Sequence, residues 1–236
     1  MSAIWKREIQ SYFSTPVGYV FMGVFLSLSG MMFYSQNVMA LESSVLLLLS
    51  QITFLWLLLS PVLTMRLMAE ERRLKTDQLL LTSPVSLWGV VLGKYMAAVA
   101  VLVATVLLTF FYVLIVALFG KVYPGELMVG YLGFILQGCA FLALDLFISG
   151  CAKSQVTAAI AAFGVNLALW ALDMMASAVN LPVLPDVLRF LGLYARYEPF
   201  LLGQLSFASI VYYVAFCAVF LSAAVRMLDA RRYREG

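Results

Sequence analysis

The sequence predicts an all-α membrane protein, and three observations lead to that class. The 236 residues are 64% apolar and only 11% charged, with a mean hydropathy of +1.00, which is outside the range of ordinary soluble domains. Apolar runs recur that are long enough to cross a hydrocarbon core of about 30 Å, which takes roughly 20 helical residues. Six such runs leave room for one membrane domain, residues 1–236, and no soluble one: 16–40, 46–65, 89–119, 126–150, 155–181 and 205–228.

Basic residues are distributed unequally between the two sides that six spans define. Twelve of the 15 Lys and Arg residues fall in or next to four segments. These are the N-terminal segment, the link between spans 2 and 3, the link between spans 4 and 5, and the C-terminal tail. The exceptions are Lys121, Arg189 and Arg196. Because cytoplasmic loops are enriched in Lys and Arg, both termini are predicted to be cytoplasmic. Topology and anionic lipids explain these charges, so we expect no nucleic-acid partner.

The N-terminal residues 1–15 are predicted to form an amphipathic helix that lies in the membrane interface. Trp5, Ile9, Tyr12 and Phe13 share one face, and basic and polar side chains lie opposite. Pro16 marks the end of this helix and the start of the first span. A simple topogenic anchor is the alternative, because periodicity alone does not indicate docking.

The link between the second and third spans, residues 68–84, is strongly charged. Three acidic and three basic residues lie between positions 70 and 77, followed by Leu79, Leu80 and Leu81. Such charges suit a helix with exposed ion pairs, and the leucines are apolar anchors for a groove on another protein. We predict a cytoplasmic helix that docks on a soluble partner. The alternative is a solvated loop whose charges only enforce topology.

The segment before the sixth span, residues 182–204, is too polar to cross the membrane easily. Three prolines interrupt it, and Phe, Leu and Tyr are frequent within it. It is therefore predicted to form short outer helices that are interfacial or re-entrant.

Asp145 and Asp173 are the acids that lie well inside apolar runs. Ionisable side chains at membrane depth are costly and often functional, so both are candidate intramembrane polar sites. A structural role is the alternative. In that case Asp145 would lie near the inner interface and pair with Lys153, and Asp173 would lie near the outer one.

Catalytic and cofactor sites are not predicted in this chain. The absence of histidine excludes His-dependent triads and His zinc sites, and the three cysteines lack metal-ligand spacing. Gly89, Gly93 and Lys94 resemble a phosphate loop only faintly, because the spacing is wrong and the stretch opens a span. Close helix packing and an easier helix start remain as alternative uses of these glycines.

Three stretches resemble the permease subunits of ABC-2 type exporters, in the subgroup of gliding-motility and nitrous-oxide-accessory permeases. They are WKREIQSYFSTPVGYVFMGVFL (5–26), MRLMAEERRLKTDQLLLTSPVSLWGVVLGKY (65–95) and RYEPFLLGQLSFASIVYY (196–213). The second stretch departs from the subgroup's pattern, because Lys75 replaces the usual Gly and Gln78 the usual Glu. The resemblance therefore carries a coupling role over to Thr76, Leu79 and Leu80, and not to position 78.

The resemblance implies a function and a set of partners. The chain would be a permease subunit that couples ATP hydrolysis by a separate ATPase to substrate movement across or out of a bacterial-type inner membrane. Two ATPase subunits would hold ATP and Mg, and a second copy or a related permease would lie alongside. Membrane lipids and an extracytoplasmic accessory protein are further expected partners. The rival functions are a membrane anchor that transmits force without a solute path, and a secondary transporter.

Two sets of residues in this chain are predicted to contact the ATPase. The expected coupling set in the second link is Glu70, Glu71, Arg72, Arg73, Thr76, Leu79 and Leu80. A smaller set in the N-terminal helix is Trp5, Arg7 and Glu8.

Overall fold

Helices make up most of the described chain. The computed structural model describes residues 2–73, 86–178 and 192–235. In chain order the helices are α1 (Ser2–Ser14), α2 (Pro16–Phe33), α3 (Val45–Arg73), α4 (Leu87–Phe119), α5 (Pro124–Cys151), α6 (Gln155–Ala178), α7 (Glu198–Leu201) and α8 (Phe207–Glu235). A π-helical segment, Tyr34–Met39, extends α2. Six helices are long and apolar enough to cross a membrane, which confirms the predicted all-α class with six spans.

The helix α5 lies at the centre of the bundle. α3, α4, α6 and α8 pack around α5, α2 packs on α3, and α1 lies against α4. Trp56 of α3 is fully buried and makes edge-on ring contacts with Phe21 and Phe25 of α2 and Phe134 of α5, at centroid distances of 5.7, 5.8 and 6.2 Å. One aromatic side chain thus joins three spans in the core.

The helix termini define two ends of the bundle. One end, which we call the basic end, carries α1, the C-terminal ends of α3, α5 and α8, and the N-terminal ends of α4 and α6. The opposite end carries the turns at residues 40–44 and 120–123 and the segment 192–206. Most charged side chains of the described residues lie at or near the first of these ends, on the helix termini.

The helix α3 continues two turns beyond the predicted end of the second span. The apolar run was predicted to end at position 65, and the helix itself runs on to Arg73. Arg66 lies 3.5 Å from Glu70 and donates to Ser11 Oγ at 2.8 Å and to Thr15 Oγ1 at 3.0 Å. These contacts hold Arg66 against α1, and arginine is a good helix former, so the helix continues through this position.

The predicted coupling helix is described only in its first part. Residues 68–73 are the last turns of α3. The remainder, up to position 84, lies outside the described residues.

The segment before α8 folds back onto the bundle at the opposite end. α7 is one helical turn, and a Cβ added to Gly133 of α5 would lie 2.6 Å from the buried ring of Phe200. Tyr213 Oη of α8 donates to the carbonyl of Leu193 at 2.7 Å. Within the described part, the predicted outer helices therefore reduce to one short helix packed on α5, and positions 182–191 lie outside that part.

Candidate functional site

Four charged side chains meet at the basic end, where three helices come together. α1 contributes Arg7 and Glu8, α3 contributes Glu71, and α4 contributes Lys94. Lys94 Nζ lies 3.1 Å from Glu8 Oε1 and 2.8 Å from Glu71 Oε1. Arg7 Nη2 lies 2.8 and 3.0 Å from the same two oxygens. We call these four residues the charged cluster.

The charged cluster pairs two cations with two carboxylates. The side chain of Lys94 is 1% exposed, and those of Glu8 and Glu71 are 13% and 19% exposed. Burial by itself would raise the pKa of Glu8, but Lys94 and Arg7 outweigh it and lower that pKa below the ordinary value of 4.5. A buried ammonium without such partners would be costly. The ion pairs therefore fix the three helices relative to one another.

The helix α1 faces the bundle through Ile4, Glu8 and Tyr12, which are spaced one turn apart. A Cβ added to Gly93 of α4 would lie 3.0 Å from Ile4 Cγ2, so glycine permits the close approach of α1 to α4. Tyr12 Oη donates to the carbonyl of Leu63 in α3 at 2.7 Å. Burial raises the pKa of Tyr12, which keeps this phenol a hydrogen-bond donor.

The predicted apolar face of α1 is divided between the bundle and the surface. Tyr12 is buried and Ile9 packs on the core, whereas Trp5 and Phe13 are 38% and 36% exposed. The ion pairs of Glu8 set this rotation, because Glu8 must point at Lys94. Trp5 and Phe13 are left on the surface, where aromatic side chains suit a membrane interface.

The C-terminal end of α5 is tied to two neighbouring helices. Arg72 of α3 donates to the carbonyls of Cys151 and Ala152 at 3.2 and 2.9 Å. Arg231 of α8 donates to the carbonyl of Gly150. Cations at a helix C-terminus satisfy free carbonyls and oppose the helix dipole. The basic end is thus held by side chains as well as by packing.

In a comparison with family models, residues 14–230 match the model described as ABC-2 family transporter protein. The chain belongs to the ABC-2 transporter family. No curated protein matches it significantly. Family membership and six apolar helices make the chain a multi-pass permease subunit of an ABC transporter, and membership implies pairing with an ABC ATPase subunit.

The two predicted contact sets of this ABC-2 permease meet in one place. Glu71 of the coupling set contacts Arg7 of the N-terminal set and shares Lys94 with Glu8. Glu70 lies on the same turn but pairs with Arg66. The side chain of Arg73 and the residues Thr76, Leu79 and Leu80 lie outside the described part of the chain.

Lys94 was not predicted as a site residue of this permease. It was counted as a marker of topology and weighed in a rejected phosphate-loop pattern, although it lies seven residues inside an apolar helix. That position was the available signal, because ionisable side chains inside apolar runs are rare and usually have a polar or charged partner. The sequence does not indicate which acid, since Glu8 is 86 positions away.

Asp145 lies inside the bundle, as its position in an apolar run predicts. Ser60 Oγ of α3 donates to Asp145 Oδ2 at 2.7 Å, and Asn166 Nδ2 of α6 donates to Asp145 Oδ1 at 3.0 Å. The alternative pairing with Lys153 is not found among the described ion pairs, because the carboxyl faces α3 and α6 and Lys153 is exposed. The side chain of Asp173 lies outside the described part.

Proposed function

We propose that this ABC-2 permease couples ATP hydrolysis on a separate ATPase subunit to substrate movement across or out of a bacterial-type inner membrane. In this proposal the basic end and both termini are cytoplasmic. Two permeases lie side by side, and two ATPase subunits hold ATP and Mg beneath them. The three resembling stretches favour the gliding-motility and nitrous-oxide-accessory subgroup.

The charged cluster is the observation that carries the proposal. The part of the link that lies outside the described residues, 74–85, joins α3 to α4. Glu71 lies two residues before the end of α3, and Lys94 lies seven residues after the start of α4. Lys94 Nζ and Glu71 Oε1 lie 2.8 Å apart. Lys94 also contacts Glu8 of α1, and Glu71 also contacts Arg7 of α1. A force applied to the link would therefore reach three helices together. This arrangement supports a coupling role for the link, with Thr76, Leu79 and Leu80 as its contacts on the ATPase.

The experiment changes the link without changing the charged cluster. Reversing Glu71 and Arg72 would disturb folding and coupling together, because both side chains bind other helices. A Leu79→Asp, Leu80→Asp double variant removes the apolar anchors instead. We expect it to lose the co-purifying ATPase while its thermal unfolding temperature is unchanged.

The matched control places the same kind of change at the other end of the bundle. Leu41 is 86% exposed in the turn between α2 and α3, so Leu41→Asp is expected to retain the ATPase. An ATPase that stays bound to the double variant at the wild-type ratio contradicts the proposed contact. Loss from both variants also contradicts it, because the effect would then be independent of the link.

A further inference from the structure

A cavity of about 410 Å³ lies at the end of the bundle opposite the basic end. The π-helical extension of α2, the turn that follows it and the last turns of α4 line this cavity. Most of its lining side chains are apolar, among them Phe33, Val38 and Val116, and its polar members include Glu42 and Ser43. A cavity that combines apolar and polar side chains in this way suits an amphiphilic ligand.

One leucine of this cavity has a backbone conformation that leucine rarely adopts. Leu41 has a φ of 55°, in the left-handed region that disfavours bulky side chains. Leu41 is 86% exposed, and Phe119 of α4, which lines the same cavity, is 88% exposed. Strained residues persist where other contacts compensate for the strain, and they are frequent at ligand-binding sites. A ligand that covers Leu41 and Phe119 would supply that compensation.

The π-helical segment and the turn after it hold Glu42 at the cavity. Asn37 Nδ2 donates to the carbonyl oxygen of Glu42 at 2.6 Å. Glu42 Oε1 accepts from the backbone N–H of Ser44 at 3.2 Å, and its other carboxylate oxygen has no donor among the described residues. π-helical turns are uncommon and often occur at functional sites. The carboxylate of Glu42 is therefore fixed through one oxygen and available through the other.

Two opposite charges lie close to Ser43. This serine lines the cavity together with Glu42, and it also lines a smaller cavity of about 200 Å³ together with Lys121. Glu42 and Lys121 are both exposed, and no ion pair found in residues 2–73, 86–178 and 192–235 includes either of them. A carboxylate and an ammonium in adjoining cavities are complementary to a zwitterion, with its cation at Glu42 and its anion at Lys121.

We propose that the larger cavity binds a phospholipid with a primary amine in its headgroup, and that the lipid is phosphatidylethanolamine. The extended α2 ends at Met39 and α4 ends at Phe119, so the cavity lies at the depth of lipid headgroups. An acyl chain covers Leu41, the ammonium donates to Glu42, and the phosphate accepts from Lys121. The quaternary ammonium of choline has no N–H to donate, and a glycerol headgroup has no cation for Glu42.

The test is thermal unfolding of the full-length, delipidated protein in detergent, with phosphatidylethanolamine, phosphatidylcholine or phosphatidylglycerol of identical acyl chains added. Because a ligand of the native state stabilises by mass action, we expect phosphatidylethanolamine at about a hundredfold excess over Kd to raise the Tm by about 5–10 °C. The rise should saturate, and the other two lipids should need about tenfold higher concentrations for half of it, since each lacks one charged hydrogen bond.

Glu42→Gln keeps an acceptor for the Ser44 N–H, so the turn is retained while the charge is lost. We expect this variant to raise the half-maximal concentration of phosphatidylethanolamine about tenfold, to that of phosphatidylcholine. The matched control is Glu198→Gln, which should keep the wild-type preference. Glu198 is exposed at the same end of the bundle and lines neither cavity.

Leu41→Gly tests the apolar part of the site. Glycine adopts the left-handed conformation without strain, so the lipid-free Tm should be unchanged or higher, while the half-maximal lipid concentration should rise about tenfold. Equal stabilisation by the three lipids, a preference for phosphatidylglycerol, or an unchanged half-maximal concentration in Glu42→Gln or Leu41→Gly would each overturn the site. A benzoylphenylalanine at position 38 that cross-links to a second copy of the chain, and not to lipid, would assign the cavity to that copy and overturn it too.

Discussion

Lys94 illustrates how a charge is kept inside this bundle. Its ammonium is 1% exposed and lies 2.8–3.1 Å from two carboxylates that come from different helices. The net gain from a buried ion pair over apolar packing is small, but the loss on removing one partner is large. The charged cluster therefore acts mainly by specifying which helices meet.

Removal of one acid from the charged cluster should destabilise the protein strongly. We expect Glu71→Gln to lower the free energy of unfolding by about 3 kcal/mol, because Lys94 is then buried with one carboxylate fewer. In a double-mutant cycle, adding Lys94→Met should recover part of that loss. Denaturant unfolding in detergent measures both. The control is Glu126→Gln, because Glu126 is exposed at the start of α5. Additive losses from Glu71→Gln and Lys94→Met would contradict the direct pairing of Glu71 with Lys94.

The contribution of Glu8 should depend on pH in one direction. Its pKa is lowered in the folded protein by Lys94 and Arg7, against the effect of burial, relative to an ordinary 4.5. A carboxylate with a lowered pKa stabilises above its unfolded pKa and loses that effect as pH falls through its folded pKa. The stability difference between wild type and Glu8→Gln should therefore be constant above about pH 5 and shrink below pH 4.5. A difference that grows on acidification would contradict this.

At the scale of elements, α1 is part of the bundle as well as a surface helix. It packs on α4 at Gly93 and turns sharply into α2 beside Gly18, where an added Cβ would lie 2.6 Å from the carbonyl oxygen of Tyr12. That contact is with backbone, which has little freedom to move. The position of α1 therefore depends on small residues as well as on the ion pairs.

Two glycines of α2 provide a matched test of this packing. Gly18→Ala should destabilise by about 1–3 kcal/mol through overpacking against α1. Gly23→Ala, in the same helix with nothing within 4 Å of the added Cβ, should be neutral or stabilise by up to about 1 kcal/mol through helix propensity. Thermal unfolding of the two variants compares them directly. Equal effects would show that α1 is not fixed at this turn.

The spans could be predicted from the sequence because hydropathy is a local property, and the helix bounds differ from the predicted runs mainly at the C-terminal ends of α3 and α8. The apolar run of α3 did not indicate that the helix continues to Arg73, because the contacts of Arg66 with Ser11 and Thr15 join positions that are far apart in the sequence. The rotation of α1 was missed for the same reason. Asp145 was predicted only as a candidate intramembrane polar site, because its neutral partners Ser60 and Asn166 carry no charge signal and lie 85 and 21 positions away.

At the scale of the whole molecule, the helices are connected in two ways, by packing around α5 and by side-chain contacts at the basic end. α5 packs against four other spans, and its C-terminal carbonyls bind Arg72 of α3 and Arg231 of α8. The charged cluster adds α1 and α4 to the same end. Under the proposed coupling, a displacement that enters between α3 and α4 would therefore also reach α1, α5 and α8.

Photo-cross-linking in native membranes tests the central claim that an ATPase engages the link between α3 and α4. A benzoylphenylalanine placed at position 79 is predicted to form an adduct with an ABC ATPase subunit, identified by mass spectrometry. The same probe at position 41, at the opposite end, should form none. Absence of an ATPase adduct from position 79 and its neighbours, in membranes where the ATPase still co-purifies, would contradict the account.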